Sequence, residues 1–172
     1  MGIVSTIPEK CRRCYTCVRE CPAKAIQVEH GQATVIEDRC IACGNCVKVC
    51  AQQAKLIEDS IAPVSAMLES NERVIACFAP SFPAAFHEVR PGQVISAVRK
   101  LGFAEVWEVA FGAELVSREY VKLFGEALPN RARVITTPCP AIVSFVTKYM
   151  PALRDVLAPI VSPMIATGRA IR

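Results

Sequence analysis

Two cysteine runs decide the fold of the N-terminal part of the chain: Cys11-x-x-Cys14-x-x-Cys17-x-x-x-Cys21-Pro22 and Cys40-x-x-Cys43-x-x-Cys46-x-x-x-Cys50. Each cysteine of the second run lies 29 residues after its counterpart in the first, as Cys40 follows Cys11. The residues before the runs also correspond, because Ile7 to Lys10 match Ile36 to Arg39. A sequence that repeats at a fixed interval in this way indicates an internal duplication.

The spacing resembles that of bacterial two-cluster ferredoxins, which hold two 4Fe–4S clusters with cysteine thiolates. A cubane cluster has four iron corners, and each corner takes one thiolate. In these ferredoxins the fourth cysteine of each run ligates the other cluster. The resemblance therefore implies an α+β ferredoxin-like module with two clusters. The first is held by Cys11, Cys14, Cys17 and Cys50, and the second by Cys40, Cys43, Cys46 and Cys21.

Two other kinds of site also use paired cysteines. Structural zinc sites take four ligands from two pairs with a longer gap between them, so a zinc site would leave cysteines over. A disulfide framework belongs to an oxidising compartment, whereas the N-terminus lacks the basic region and long apolar run of a signal peptide. The spacing therefore favours iron–sulfur ligation. Ala51 stands where a second proline is expected, a departure that leaves the ligands untouched.

The composition argues against nucleic-acid and membrane partners. The chain has 172 residues, a formal net charge of +4 and a hydrophobic fraction of 52%. Cluster thiolates would offset the positive charge, and the sequence has no basic stripe of the kind that a nucleic-acid surface needs. Prolines interrupt the longest apolar stretches, which fall short of the ~20 residues of a membrane helix. We therefore predict a soluble, cytoplasmic protein with no membrane span.

Changes in amino-acid composition along the chain predict three segments: a two-cluster module at 1–58, a linker at 59–72 and a second domain at 73–172. In the module, strands are predicted at 25–29 and 33–36 around a turn in which Gly31 takes a positive φ. In the second domain, strands are predicted at 73–79, 104–109 and 133–137, and helices at 91–102, 114–128 and 141–150. This alternation indicates βαβ units and hence an α/β domain with a parallel sheet.

The second domain has few residues of chemical interest. It contains no Walker or Rossmann glycine motif, so a nucleotide site has no support. Cys77 lies within a predicted strand and is expected to be a small buried apolar residue. Cys139 lies between Pro138 and Pro140, after a strand and before a helix. Because a helix dipole stabilises a thiolate at the helix N-terminus, Cys139 is the candidate site residue of this half, with a structural cysteine as the alternative.

The residues around Cys139 resemble a known family. Thr136 to Pro140, followed by Val143 to Pro151, resembles the first active-site motif of iron-only hydrogenases, which precedes a helix ending in a Lys-Tyr-aromatic-Pro pattern. The segments Ala79 to Ser81 and Leu101 to Phe103 also resemble parts of that family. Many members carry a two-cluster ferredoxin module directly upstream. The resemblance implies that residues 73–172 are the N-terminal part of a hydrogenase-like α/β domain.

By this resemblance Cys139 corresponds to the second cysteine of the motif, a ligand of the active-site 4Fe–4S subcluster. Pro138 replaces the first cysteine, which relays protons in the family, and some divergent sensory members are similar to this version. The remaining cysteine ligands of the family come from two later motifs, and the sequence ends at Arg172 before either. We therefore expect an N-terminal piece that has no catalytic residues and does not hold the hydrogenase active-site cluster by itself.

Three functions follow as hypotheses. The leading one is electron transfer, in which two 4Fe–4S clusters pass single electrons to or from a hydrogenase-like domain. The second is that the chain is part of an iron-only hydrogenase that makes or splits hydrogen. The third is a redox or hydrogen sensor, which the loss of the proton-relaying cysteine at Pro138 favours over turnover. In each case the predicted partner is a redox protein, either ferredoxin-like or the remainder of a hydrogenase.

Overall fold

The structure, a computed structural model, describes residues 3–70, 72–127 and 133–172. Contacts divide the chain into two compact units, one made of Met1–Asp59 with Cys139–Leu157 and the other of Ser60–Pro138 with Ala158–Arg172. The placement of 139–157 with the cysteine-rich N-terminus was not anticipated from the sequence. The limits of the module (1–58), the linker (59–72) and the second domain (73–172) stay predictions. They describe evolutionary domains, which contacts within one chain do not test.

The internal duplication is visible in the backbone of the first unit. Its N-terminal part consists of β1 (Val4–Thr6), α1 (Thr16–Arg19), β2 (Ile26–Glu29), β3 (Gln32–Val35), α2 (Asn45–Lys48) and β4 (Lys55–Ile57). The two short helices begin and end 29 residues apart, as the cysteine runs do. β1 pairs with β4 and β2 pairs with β3, both antiparallel, so each pair combines one strand from each repeat. Helix α1 ends at Arg19, three residues before Pro22.

The predicted turn between β2 and β3 is confirmed. Glu29 pairs with Gln32, and the two residues between them, His30 and Gly31, have φ values of 48° and 75°. Positive φ at both central positions is typical of the tight turns that suit the twist of a hairpin. The sequence predicts the positive φ of Gly31, whereas that of His30 follows only from the turn type.

The first unit also contains α7 (Pro140–Tyr149) and a 3₁₀ turn (Pro151–Val156). Its core is made of small and medium apolar side chains, among them Ala25 and Ala33, which are each 1% exposed. Phe145 of α7 packs against this core. Small residues in the core leave room beside the backbone, and that room is occupied by cysteine side chains of both runs.

The second unit contains the predicted parallel sheet. Its elements are α3 (Ile61–Glu69), β5 (Ile75–Phe78), α4 (Phe82–Ala85), α5 (Pro91–Lys100), β6 (Glu105–Glu108), α6 (Val109–Ala127) and α8 (Pro163–Ile171). β5 and β6 are parallel, with Ile75 opposite Glu105, and α5 lies between them in sequence. The βαβ unit is therefore confirmed. The predicted linker includes the nine-residue helix α3, and α8 begins after Ser162, whose hydroxyl accepts a bond from the Ile165 amide.

Two predictions for this unit are wrong. The strand expected at 133–137 is reduced to an isolated bridge at Ile135, because Thr137 places its amide against Tyr120 Oη (2.9 Å) instead of against a neighbouring strand. Cys77 is exposed rather than buried, since β5 has only β6 beside it in the described sheet. Helix α6 starts at Val109, five residues before the predicted start, and the predicted end at Leu128 lies outside the described residues.

Helices α6 and α8 approach each other closely at a glycine. A Cβ atom on Gly112 would lie 2.2 Å from both the Pro163 carbonyl oxygen and Thr167 Oγ1. Thr167 is fully buried and donates its hydroxyl to the Pro163 carbonyl oxygen at 2.9 Å. Among the described residues, every helix is too short or too polar to cross a membrane.

Candidate metal centres

The eight cysteines of the two runs line two separate cavities in the first unit. One cavity is lined by Cys11, Cys14, Cys17 and Cys50, and the other by Cys21, Cys40, Cys43 and Cys46. The structure thus brings the cysteines together in the two groups of four that the ferredoxin resemblance implies. Their role as ligands stays a prediction.

Left-handed backbone residues shape the loops that carry these cysteines. Positive φ values occur at three pairs of residues that are 29 positions apart in sequence: Arg13 and Ala42, Tyr15 and Gly44, and Lys24 and Gln53. Residues other than glycine adopt this conformation at a cost, so its repetition shows that both loops follow the same tight path. The loop path places successive cysteines of each run around one cavity.

Backbone amides point at the sulfur atoms in a repeated pattern. The amide of Ala25 donates to Cys21 Sγ at 3.3 Å, and the amide of Ala54 donates to Cys50 Sγ at the same distance. The Ala42 amide donates to Cys40 Sγ at 3.4 Å. Donors of this kind stabilise thiolates and help to set the potential of iron–sulfur clusters. Cys21 and Cys50, the two residues predicted to cross between runs, therefore accept equivalent backbone hydrogen bonds.

The thiols differ in their electrostatic surroundings. The pKa of Cys14, which is exposed, is lowered mainly by a hydrogen bond from the Thr16 backbone amide and also by the Thr16 hydroxyl. Burial raises the pKa of Cys17 and of Cys46, while the positive charge of Lys55 acts in the opposite direction on both. One lysine thus acts electrostatically on a cysteine of each cavity.

Lys55 is a functional candidate that the sequence interpretation missed. Its side chain is buried, with 6% exposure, and it lines the first cavity. Nζ donates to Thr6 Oγ1 at 2.5 Å and to the Ala33 carbonyl oxygen at 2.8 Å. The duplication offered a signal, because Lys55 corresponds to Ile26, 29 residues earlier, so that a cation replaces an apolar residue.

The residues present fit iron–sulfur clusters. Each cavity has four thiol groups, the ligand set that a cubane cluster requires. The ion pairs of the described residues do not include Lys55, and a buried ammonium needs compensating negative charge. A thiolate-ligated cluster in the first cavity would supply that charge. In the described residues, no three His, Cys, Asp or Glu side chains are grouped so that they could hold a single metal ion.

Cys139, the candidate residue of the hydrogenase-like half, lines neither cavity. It is the exposed N-cap residue of α7, and its side chain makes no capping hydrogen bond. The other end of α7 is fixed to the loops of the second cavity. Lys148 Nζ donates to the Cys40 carbonyl oxygen at 2.7 Å, and Tyr149 Oη donates to the carbonyl oxygens of Ala23 at 2.9 Å and Arg39 at 2.8 Å.

Comparison with known proteins agrees with these observations. Residues 72–172 match the family described as iron-only hydrogenase large subunit, C-terminal domain. Residues 3–51 match a 4Fe–4S dicluster domain. The chain is therefore an iron–sulfur, metal-binding protein of the hydrogenase-like kind.

Individual relatives show the same relationship. The chain is 27% identical over 116 residues to iron hydrogenase 1 of Clostridium pasteurianum, an alignment that covers 62% of this chain and 20% of that protein. A structure from a study of [FeFe]-hydrogenase oxygen inactivation superposes with a TM-score of 0.57 at 21% identity, covering 62% of this chain and 31% of the other. The structure of HydA(ΔEFG), reported with stepwise H-cluster assembly, gives a TM-score of 0.53 at 22% identity and covers 63% and 31%.

The chain therefore spans about a fifth of its curated relative and about a third of the similar structures. The likeness to these structures concerns the fold alone, whereas the family match covers more than half of the chain, from residue 72 to residue 172. The chain belongs to the iron-only hydrogenase large subunit family.

Proposed function

We propose that this chain transfers single electrons through two 4Fe–4S clusters, to or from a hydrogenase-like domain. The observation that carries the proposal is the grouping of eight cysteines into two sets of four, each around its own cavity. Cys11, Cys14, Cys17 and Cys50 would hold one cluster, and Cys21, Cys40, Cys43 and Cys46 the other. A 4Fe–4S cluster, when bound, supplies a site that accepts and releases one electron.

The residues of the chain hold the clusters and control their surroundings. The thiolates bind iron, and the amides of Ala25 and Ala54 donate hydrogen bonds to the sulfur atoms of Cys21 and Cys50. Apolar residues of the core, such as Ile41, limit the access of water to the cysteines. No side chain needs to make or break a bond, so the proposed role is electron relay rather than catalysis.

The contacts of α7 support a relay toward the hydrogenase-like part. The helix begins at Cys139, which we propose as a candidate ligand of an active-site cluster in a complete protein. It ends at Lys148 and Tyr149, which donate hydrogen bonds to the backbone beside Cys40. Helix α7 therefore joins the candidate residue to the loop of the second cavity. The partner in electron transfer would be a ferredoxin-like protein or the remainder of a hydrogenase, in the cytoplasm where thiols stay reduced.

Two further functions have support from specific residues. The family match and Cys139 favour a part of an iron-only hydrogenase. Pro138 favours a redox or hydrogen sensor, because proline offers no group that could carry a proton where the family has a cysteine. Activity of a complete parent protein would distinguish these two, and either one includes the electron relay proposed for this chain.

Iron and acid-labile sulfide, measured per chain after anaerobic purification, test the proposal together with EPR of the reduced protein. Two clusters require about eight iron and about eight sulfide per chain and give spin-coupled signals. Zinc without sulfide would refute the proposal. Iron clearly above eight would show that Cys139 recruits additional metal in this chain, against the expectation that it does not hold the hydrogenase cluster alone.

A further inference from the structure

The linings of the two cavities differ in several residues, and one difference places a buried cation in the first cavity only. Arg12 also lines the first cavity, where the other repeat has Ile41, but its side chain is exposed. Lys55 and Thr6 line the first cavity. The residues 29 positions away from them are Ile26 and Val35, and these line the second cavity. A cation and a hydroxyl group thus stand at positions that are purely apolar in the other repeat, while the four cysteines of each cavity are equivalent.

The ammonium group of Lys55 is held in place by hydrogen bonds. Thr6 Oγ1 donates its own proton to the Ala33 carbonyl oxygen at 2.6 Å, so that it accepts from Lys55 Nζ at 2.5 Å. The same Nζ donates to the Ala33 carbonyl oxygen at 2.8 Å. The group is therefore fixed by two oxygen acceptors, neither of which carries a formal charge. Its positive charge is available to a negatively charged group in the cavity.

We propose that Lys55 raises the reduction potential of the cluster held by Cys11, Cys14, Cys17 and Cys50 above that of the cluster in the second cavity. This inference rests on the proposed two-cluster function. The transferred electron would then reside preferentially on the cluster of the first cavity. The cluster of the second cavity, whose loop is bonded to α7, would exchange electrons with the first cluster. Lys55 is a positioning residue in this scheme, since it touches no reacting atom.

The physical reason is charge. Reduction adds one electron to a cluster, so the cluster becomes more negative by one charge. The charge of Lys55 is unchanged by this step. A nearby cation in a water-poor site stabilises the more negative state, and net charge is one of the factors that set cluster potentials. The charge of Lys55 also acts on Cys46, but Lys55 lines the first cavity, whereas the second has Ile26 at the equivalent position, so the stabilisation is larger for the first cluster. The electron itself comes from the redox partner or, in the experiment, from dithionite.

EPR-monitored redox titration of the full chain, with both clusters in place, tests the inference. The cluster of the first cavity is identified with Cys11→Ser, because a ligand oxygen changes the EPR signal of the cluster that it binds. In Lys55→Met we expect the reduction equilibrium of that cluster to become about tenfold less favourable, which is about 59 mV for a one-electron couple. The potential of the other cluster should fall less, and Lys55→Arg should keep both potentials close to those of the wild type.

Two control variants separate charge from other effects. Lys48→Met removes an exposed lysine from α2. It should change both reduction potentials, relative to the wild type, by only a small fraction of the shift expected for Lys55→Met. Thr6→Val removes a polar atom from the same cavity but keeps the charge, and it should have a clearly smaller effect than Lys55→Met. Equal shifts in Thr6→Val and Lys55→Met would overturn the inference, because the contacts rather than the charge would then set the potential.

The remaining outcomes are also decisive. A wild-type chain with fewer than two clusters would overturn the proposed function, whereas two intact clusters with unchanged potentials in Lys55→Met would overturn this inference alone. If Lys55→Met loses a cluster, Lys55→Gln is titrated in its place. Loss of the cluster in both neutral variants, with retention in Lys55→Arg, would overturn the inference because the lysine would then hold the cluster together rather than set its potential.

Discussion

The hydroxyl group of Tyr149 lies 2.9 Å from the carbonyl oxygen of Ala23, a residue 126 positions earlier in the chain. The same hydroxyl lies 2.8 Å from the carbonyl oxygen of Arg39, so that one proton is shared between the loops of both cysteine runs. Phe145 stacks on the Tyr149 ring with centroids 5.5 Å apart and also packs against the core between the runs. A helix from the hydrogenase-like sequence thus stabilises the cysteine-rich part of the first unit.

Tyr149→Phe should therefore weaken the first unit. The substitution keeps the ring and removes one hydroxyl donor, and a hydrogen bond of this kind contributes about 1 kcal/mol to the free energy of unfolding. Anaerobic denaturation of the cluster-loaded protein, followed by cluster absorbance, measures the change. Ser96→Ala, which removes an exposed hydroxyl from α5, serves as the control and should change stability by much less. Equal midpoints for Tyr149→Phe and the wild type would show that the contact does not stabilise the loops.

Gly112→Ala should strongly destabilise the second unit. The new methyl group would overlap the Pro163 carbonyl oxygen and Thr167 Oγ1, each 2.2 Å away, so α6 and α8 would have to separate. Overpacking of this kind costs about 1–3 kcal/mol, and occasionally more. Thermal unfolding of the second unit, followed by the fluorescence of the single tryptophan, Trp107, measures the effect.

Gly125→Ala is the matched control for that substitution. Gly125 lies in the same helix, and no described atom lies within 4 Å of the position that its Cβ would take. Since alanine is a better helix former than glycine by about 1 kcal/mol, this variant should be neutral or slightly more stable. Equal destabilisation by the two substitutions would mean that helix propensity, rather than the close approach of α8, governs the result.

Glu105 should make the stability of the second unit depend measurably on pH. The Trp107 indole N–H donates to its carboxylate at 2.8 Å, and this bond, followed by that from Arg73, lowers the pKa of Glu105 below its usual range. Because the folded-state pKa is the lower one, the stabilisation is present above the unfolded-state pKa and is lost as the pH falls through the folded-state value. Trp107 fluorescence should therefore show an acid transition below the usual range of a glutamate.

Arg73→Ala should move this transition to higher pH, since one of the two groups that lower the pKa is removed. Arg118→Ala serves as the control, because Arg118 pairs with Glu114 on the exposed surface of α6. An unchanged transition in Arg73→Ala would show that the indole bond alone controls Glu105.

Local features of the fold could be predicted from the sequence because they depend on neighbouring residues. The turn at His30 and Gly31, the parallel pair β5 and β6, and the helix after Cys139 all follow from short patterns. The grouping of the eight cysteines could be predicted because the duplication specifies a known ferredoxin spacing. In these cases the local pattern and the tertiary structure agree.

Features that depend on distant contacts could not be predicted in the same way. Periodicity predicts the helix of Lys148 and Tyr149 but not its packing on loops more than 100 residues earlier. The segment 133–137 is rich in β-branched residues and so has strand composition, yet Thr137 forms hydrogen bonds with Tyr120 and with the carbonyl oxygen of Ile160. A hydrophobicity pattern places Lys55 at the surface. Its correspondence to Ile26 in the other repeat is a sequence signal for burial, and the fold shows that the side chain is buried.

Cys21→Ala tests the crossing of ligands between the two runs. Cys21 belongs to the first run in sequence but lines the cavity of Cys40, Cys43 and Cys46. If a cluster occupies that cavity, removal of Cys21 deprives it of one of four ligands, so we expect the second cluster to be lost or degraded while the first is kept. Iron content should then fall from about eight to about four per chain, and the spin-coupled EPR signal should be replaced by that of one isolated cluster.

Cys50→Ala and Cys77→Ala complete this experiment. Cys50 belongs to the second run but lines the first cavity, so its removal should have the reciprocal effect. Cys77 is exposed in β5 and lines neither cavity, and its removal should leave the iron content and both signals unchanged. If Cys21→Ala instead removed the cluster of Cys11, Cys14 and Cys17, each run would hold its own cluster. The Lys55 charge would then lie next to a different set of ligands from the one inferred, because the Cys50 thiolate would no longer belong to the cluster of the first cavity.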